Sequence, residues 1–199
     1  MRHLLRKGAL LALASVAAAA TAATCAAPGK AALLCGGSAG QQVFLPWFDA
    51  FSYTLSPGGS FEPGSTAWSL SDGAAVAKDN ESFYLNKTTD TRSLTLPTGA
   101  SATSPTFCIS ATQLDLRLLA KGSGTVRVDI LGKSLLGLGL LQSQKVTVGS
   151  KWSPSPILLF TNGLQSLLSG GTGSVAVRVT TLTGSAQVDD VYVDPFLCK

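Results

Sequence analysis

The chain has a single histidine, His3, and its position removes it from most chemistry. Arg2, Arg6 and Lys7 precede an apolar stretch over residues 9–20 that only Ser15 interrupts, and small residues follow over 18–23. Charge, apolar run and small-residue cleavage zone, in that order, predict a secretory signal over residues 1–23, cut near Ala22–Ala23. The apolar run is too short for a spanning helix, which needs roughly 20 residues. Ala22-Ala23-Thr24 before Cys25 lacks the Leu-like and small residues that lipid attachment uses, so no lipid anchor is expected. A mature chain without His3 can run neither a Ser-His-Asp nor a Cys-His relay, and cannot hold a His-ligated zinc. What remains is a carboxylate pair of the glycosidase kind. The only glutamates are Glu62 and Glu81, with Asp49 and Asp90 as further partners, and no spacing among them selects a pair. The chain therefore reads as a non-enzyme.

Four cysteines survive signal removal: Cys25, Cys35, Cys108 and Cys198. An even count in an exported chain predicts two disulfides. Cys35–Cys108 with Cys25–Cys198 would staple two ends that otherwise fray; a local Cys25–Cys35 bridge with Cys108–Cys198 is the alternative. No Cys-x-x-Cys pair suggests a metal. Fifteen basic residues stand against 11 acidic ones, but Arg2, Arg6 and Lys7 leave with the signal, so the mature chain is close to neutral. Its basic residues are scattered singly, without the stripe of a nucleic-acid binder.

The elements that must position these residues read as β-strands. Short apolar runs alternate with Gly, Pro, Ser and Thr clusters, the pattern of a sandwich or barrel. Strands are predicted over 51–55, 67–70, 75–78, 93–96, 106–109, 113–120, 125–130, 144–148, 157–160, 174–181 and 186–193. Val175, Val177 and Val179 alternate with Ala176, Arg178 and Thr180, which puts the valines inward and Arg178 in solvent. Turns are expected at glycine-bearing sites that include Gly122-Ser123-Gly124 and Gly184. The leucine-rich segment 130–141 is either a strand pair with a turn or an apolar loop, and 162–169 suits one helical turn. The organisation expected is a signal over 1–23, an irregular, cysteine-tethered segment over 24–42 and one sandwich over 43–199.

Two segments carry a family resemblance. Pro57-Gly58-Gly59-Ser60-Phe61-Glu62-Pro63-Gly64 with Trp68-Ser69-Leu70, and Val188-Asp189-Asp190-Val191-Tyr192-Val193, together resemble the first and last strands of secreted bacterial jelly-roll modules with the galactose-binding-like fold, many of which are carbohydrate-binding modules. The chain also looks like a group of uncharacterised secreted bacterial proteins that share Pro46-Trp47, Ala102 to Pro105 before Cys108, and Asp189 to Pro195. That second likeness supports Cys35–Cys108. The resemblance implies an all-β, antiparallel jelly-roll β-sandwich in which the Phe61-Glu62 strand pairs with the 188–193 strand, bringing Glu62 and Asp189 to one edge. It implies a structural calcium there, held by Glu62, Asp189 and the Ser60 carbonyl, since calcium takes six to eight oxygen ligands. Asp190 should then face solvent, with Tyr192 partly exposed on the same side.

Three functions follow as expectations. The first is a non-catalytic module binding carbohydrate or a cell-envelope polymer through exposed aromatics, with Trp152, Tyr84 and Tyr192 as ligand residues. Trp47 and Tyr53 are weaker candidates, and Trp68 is expected in the core. The second is a structural or assembly protein of the envelope, working through protein contacts on the leucine-rich 130–141 and 157–168 segments. The third is a carboxylate-dependent glycoside hydrolase.

Overall fold

The computed structural model describes residues 40–64, 67–110, 113–168 and 173–194. The signal, most of the 24–42 segment, Cys25, Cys35 and Cys198 lie outside these residues, and so do both predicted disulfide pairings. The described part is all-β and antiparallel. Its strands are β1 (Thr54–Leu55), β2 (Ser69–Ser71), β3 (Ala75–Lys78), β4 (Arg92–Leu96), β5 (Ser101–Thr103), β6 (Phe107–Ile109), β7 (Leu114–Ser134), β8 (Gly137–Val148), β9 (Ser153–Pro154), β10 (Leu158–Phe160) and β11 (Gly173–Asp194). One helical turn, α1 (Leu164–Leu167), falls within the segment predicted for it.

Two long strands organise the sandwich. β7 and β11 pair with each other from Val175↔Gly132 to Asp194↔Asp115, and the rest of the sheet hangs from them in the order β10-β7-β11-β4-β3. The sequence suggests two strands in place of each, broken by turns at Gly122-Ser123-Gly124 and Gly184. These glycines do not turn the chain; they let the two strands cross closely while bending. A Cβ on Gly122 would lie 2.1 Å from the Ser185 carbonyl oxygen, and one on Gly184 would lie 1.8 Å from that of Ser123. Only a residue without a side chain allows that approach.

The core follows strand alternation, with two interruptions on β11. Val175, Val177 and Val179 face inward as expected, against Val126, Val128 and Ile130 of β7. A register shift between Thr181 and Thr183 then moves the inward set to Ala186 and Val188. A second shift, between Asp189 and Tyr192, moves it again to Val191 and Val193. Each bulge adds one residue and so exchanges the faces of everything beyond it.

The edge pairing differs from the expected jelly-roll closure. Phe61 and Glu62 are in no strand, and the partner of the closing segment is β1, with Thr54↔Val193 and Leu55↔Tyr192. The Pro57–Gly64 run is tied alongside as a turn: Ser56 N–H donates to the Val191 carbonyl at 2.9 Å, and Val191 N–H to the Gly59 carbonyl at 3.1 Å. Its glycines and prolines favour turns over a ladder.

Candidate functional site

The outer face of β7 and β11 is also buried. Phe44, Tyr53, Leu119 and Tyr192 form a second apolar cluster there, which explains why Leu114 through Ala120 is buried at every position. Segment 40–55 covers this face. Phe44 meets Tyr53 and Tyr192 edge-on, at centroid distances of 5.1 and 5.7 Å. Beneath it Arg117 lies 4.5 Å over the Phe44 ring and pairs with Asp49 at 2.8 Å. Tyr53 Oη donates to Asp49 at 2.9 Å, and Arg117 Nε donates to the Ser155 carbonyl at 2.9 Å. Burial and the Asp49 bond push the Tyr53 hydroxyl well above its ordinary pKa. A buried charge pair of this kind holds its segment only because each partner is satisfied.

Segment 40–55 then makes a single 3-10 turn, Leu45–Trp47, opened by Pro46 and closed by Phe48 in the left-handed region at φ 60°. That closing position normally takes glycine. Phe48 occupies it with its ring fully exposed, at 101%.

A second loop, residues 79–91, is set against the Asp189–Asp190 bulge by buried carboxylates. Asp189 Oδ2 accepts the Glu81 N–H at 3.1 Å, and Asp190 Oδ2 accepts the Asn86 N–H at 3.1 Å. Glu81 turns its own carboxylate back into the loop, where it accepts the N–H groups of Phe83 and Leu85. Asn86 Nδ2 donates to Asp90 at 2.7 Å. Burial first, and neighbouring carboxylates second, raise Asp189 to a pKa of about 9 and Asp190 to about 7. Burial also raises Glu81. The loop presents Phe83 and Tyr84, both about half exposed, with Tyr84 again left-handed at φ 54°.

The two loops meet through Trp47 and Phe83, whose rings are edge-on at 4.9 Å. Phe48 and Tyr84 are their immediate chain neighbours, so the ledge consists of two rings in contact and two exposed aromatics next to them in the chain. A bulky residue with positive φ is a true outlier, costing on the order of 1–3 kcal/mol. Phe48 recovers none of that cost by burial, and Tyr84 buries only about half of its surface. Exposed rings at these positions can stack against a planar or apolar ligand face.

Of the residues expected at a ligand site, Tyr84 is on the ledge. Tyr192 is buried, contrary to the partial exposure expected, because segment 40–55 covers the outer face and sets Phe44 against it. Trp152 is half-buried, with Lys121 Nζ 4.9 Å over its ring and also bonded to Asp79. Trp68 is in the core as expected. Asp190 is buried rather than solvated, again because of the bulge, which gives it φ 46°. Sequence reading passed over Phe48 and Phe83; the Pro46-Trp47-Phe48 run was the available signal for the first.

The expected calcium donors are held by the chain itself. Glu62 Oε1 accepts the N–H groups of Thr91 and Arg92, each at 2.6 Å, where β4 begins. Asp189 is engaged by the amides of Glu81 and Asp190, and Ser60 is buried. Among the described residues no group of three or more His, Cys, Asp or Glu side chains is arranged to hold a metal ion. Glu62, Asp189 and Ser60 therefore do not converge as a carboxylate cage. Near Glu62 a cavity of about 330 Å³ is lined by Phe61, Trp68, Leu70, Val76 and Arg92 among others.

No family model matches the chain, and no curated protein matches it. Among solved structures, the family 11 carbohydrate-binding module from Clostridium thermocellum, in complex with a β-1,3-1,4-mixed-linked tetrasaccharide, is similar at TM-score 0.43 and 16% identity, over 75% of this chain and 99% of that one. TmCBM61 in complex with β-1,4-galactotriose is similar at TM-score 0.41 and 18% identity, over 69% of this chain and 92% of that one. The enzymatically active domain of bacteriophage CBA120 tailspike protein 4 is similar at TM-score 0.42 and 16% identity, over 72% of this chain. This chain spans only 19% of that tailspike domain.

Proposed function

We propose that the protein is a secreted, non-catalytic binding module that takes a saccharide of a polysaccharide or cell-envelope polymer on the Trp47, Phe48, Phe83 and Tyr84 ledge. The observation that carries this reading is the pair of exposed aromatics, Phe48 and Tyr84, held in the left-handed region by loops whose buried anchors are fully bonded. A sugar ring has an apolar C–H face that suits aromatic stacking, and hydroxyls that suit a polar rim. Exposed Ser82, Lys87, Thr88 and Thr89 on the same loop supply that rim. Non-catalysis is supported by the two glutamates, because both spend their carboxylates on backbone amides of their own fold.

The test is affinity electrophoresis against a panel of soluble glucans, galactans, xylans and envelope glycans. The expected result is retardation by at least one polymer, lost in F48A/Y84A. L70A, in the Phe61–Trp68 cavity, should bind as the parent does. Absence of retardation on every polymer, or equal retardation of F48A/Y84A, would sink the reading.

A further inference from the structure

Segment 40–55 covers the outer side of β7 around Leu119. Beyond the glycine crossing, β7 and β11 carry β8 on one flank and β5 and β2 on the other. The outward side chains there stay open to solvent, among them Lys145 and Thr147 on β8 and Ser69 and Ser71 on β2.

Basic residues that stand apart in the sequence meet on this face. Arg127 lies directly across from Lys145, and Arg178 directly across from Asp129. Asp129 is the one acidic residue on the stretches that build the face, 69–71, 101–103, 125–134, 137–148 and 173–181. Its carboxylate is fully buried and spent within the sheet. It accepts Arg127 Nε at 3.2 Å, Arg178 Nε and Nη2 at 2.9 and 2.8 Å, and Ser143 Oγ at 2.6 Å. One carboxylate thus orients two guanidiniums, whose side chains remain 33% and 32% exposed. Lys145 adds a third cation, and like charges directly opposite on paired strands repel. The arrangement is unfavourable by itself and becomes favourable once an oxyanion stands between Arg127 and Lys145.

We infer that this face binds an acidic polysaccharide, with a carboxylate or sulfate group of the polymer bridging Arg127 and Lys145. An open sheet face has no wall to enclose a free ion, so the anion belongs to a chain that lies across the strands. Thr103 sits opposite Arg178, and Ser69 opposite Thr103. Their hydroxyls, with those of Ser71 and Ser101, continue the face to its edge and suit the hydroxyls of a sugar. No aromatic residue stands on these stretches, so the stacking platform that single-stranded nucleic acid uses is missing. The Trp47–Phe83 ledge takes no part in this contact.

The experiment is retention of the full chain on beads bearing polygalacturonate, dextran sulfate or uncharged dextran. The expected result is retention by at least one acidic polymer and not by dextran, weakened in about 0.5 M salt where charge is screened within a few ångströms. Which acidic polymer retains the chain tells carboxylate from sulfate ester. K145E sets a carboxylate opposite Arg127, where the polymer's own anion would stand. It should bind at least about tenfold less, since an attraction becomes a repulsion. Its Tm should equal or exceed the parent's, because an opposite-charge pair replaces a like-charge one. K145A, which removes the charge and adds none, should bind between the two. F48A/Y84A should be retained as the parent is. Four outcomes overturn the inference: no retention on either acidic polymer, equal retention of parent and K145E, loss of retention in F48A/Y84A, or equally strong retention on single-stranded DNA.

Discussion

Trp47 and Phe83 stand edge-on to one another, 4.9 Å between ring centroids and 88° between planes. They come from loops 36 positions apart in sequence, and each brings an exposed, left-handed aromatic as its next neighbour. The ledge thus depends on two loops being anchored separately and then locked at one contact.

Phe48 should separate binding from stability. Replacing it by glycine relieves a conformation that costs L-residues about 1–2 kcal/mol, and gives up no buried surface. F48G is expected to melt no lower than the parent while losing polymer retardation. Calorimetry beside affinity electrophoresis checks both; a clear fall in Tm would mean that Phe48 serves packing.

Glu81 should act through the loop rather than on a ligand. Glutamine retains its size but offers one acceptor oxygen where the carboxylate serves Phe83 and Leu85. E81Q is expected to cost about 1 kcal/mol by leaving one of these part-buried amides without its acceptor. Hydrogen exchange should show the Phe83 and Leu85 amides losing protection ahead of the β7–β11 ladder.

Asp49 should be the costliest single position outside the main core. D49A leaves Arg117 buried beside Phe44 without its counter-charge, worth about 3–5 kcal/mol when one partner of such a pair is removed. Urea unfolding should show that loss, and a D49A/R117M double variant should recover part of it.

Stability should fall as pH rises in chelated buffer. Burial gives Asp190 a pKa of about 7 and Asp189 about 9, so the folded chain keeps protons that the unfolded chain has released above pH ~4. Each group therefore stabilises the fold below that value and loses its contribution progressively up to its folded pKa. D190N should flatten the slope of unfolding free energy between pH ~4 and about 7. Calcium at Glu62, Asp189 and the Ser60 carbonyl stays a proposal of its own. A flatter slope and higher Tm in millimolar calcium would support that proposal, and an unchanged slope would sink it.

Much of the fold was legible because it is local. The 75–78 strand, the inward valines of 175–179 and the helical turn after Asn162 all follow from alternation, spacing and turn residues, while 130–141 could be narrowed only to a strand pair with a turn or an apolar loop. The ends of β11 were not legible, because a bulge has no fixed sequence mark, and each one reverses which side chains face inward. Tyr192 and Asp190 were expected in solvent because alternation along one strand does not reveal that segment 40–55 and loop 79–91 cover its outer face. Glycines that permit a close strand crossing look like turn glycines when neighbouring strands are unknown. The site was harder still: Tyr84 could be named as an exposed aromatic, but nothing in the string reveals that Glu81 spends its carboxylate on the backbone two and four residues ahead.

Strand β11 has a consequence in time as well as in space. It bonds to β1, β4, β5, β6 and β7, yet it is the last of the described strands to be synthesised. A growing chain that has not reached Gly173 lacks the shared partner of five earlier strands, and long-range pairing of this kind is slow to form. Folding of the sandwich is therefore postponed until β11 itself has been synthesised, however early the other strands emerge.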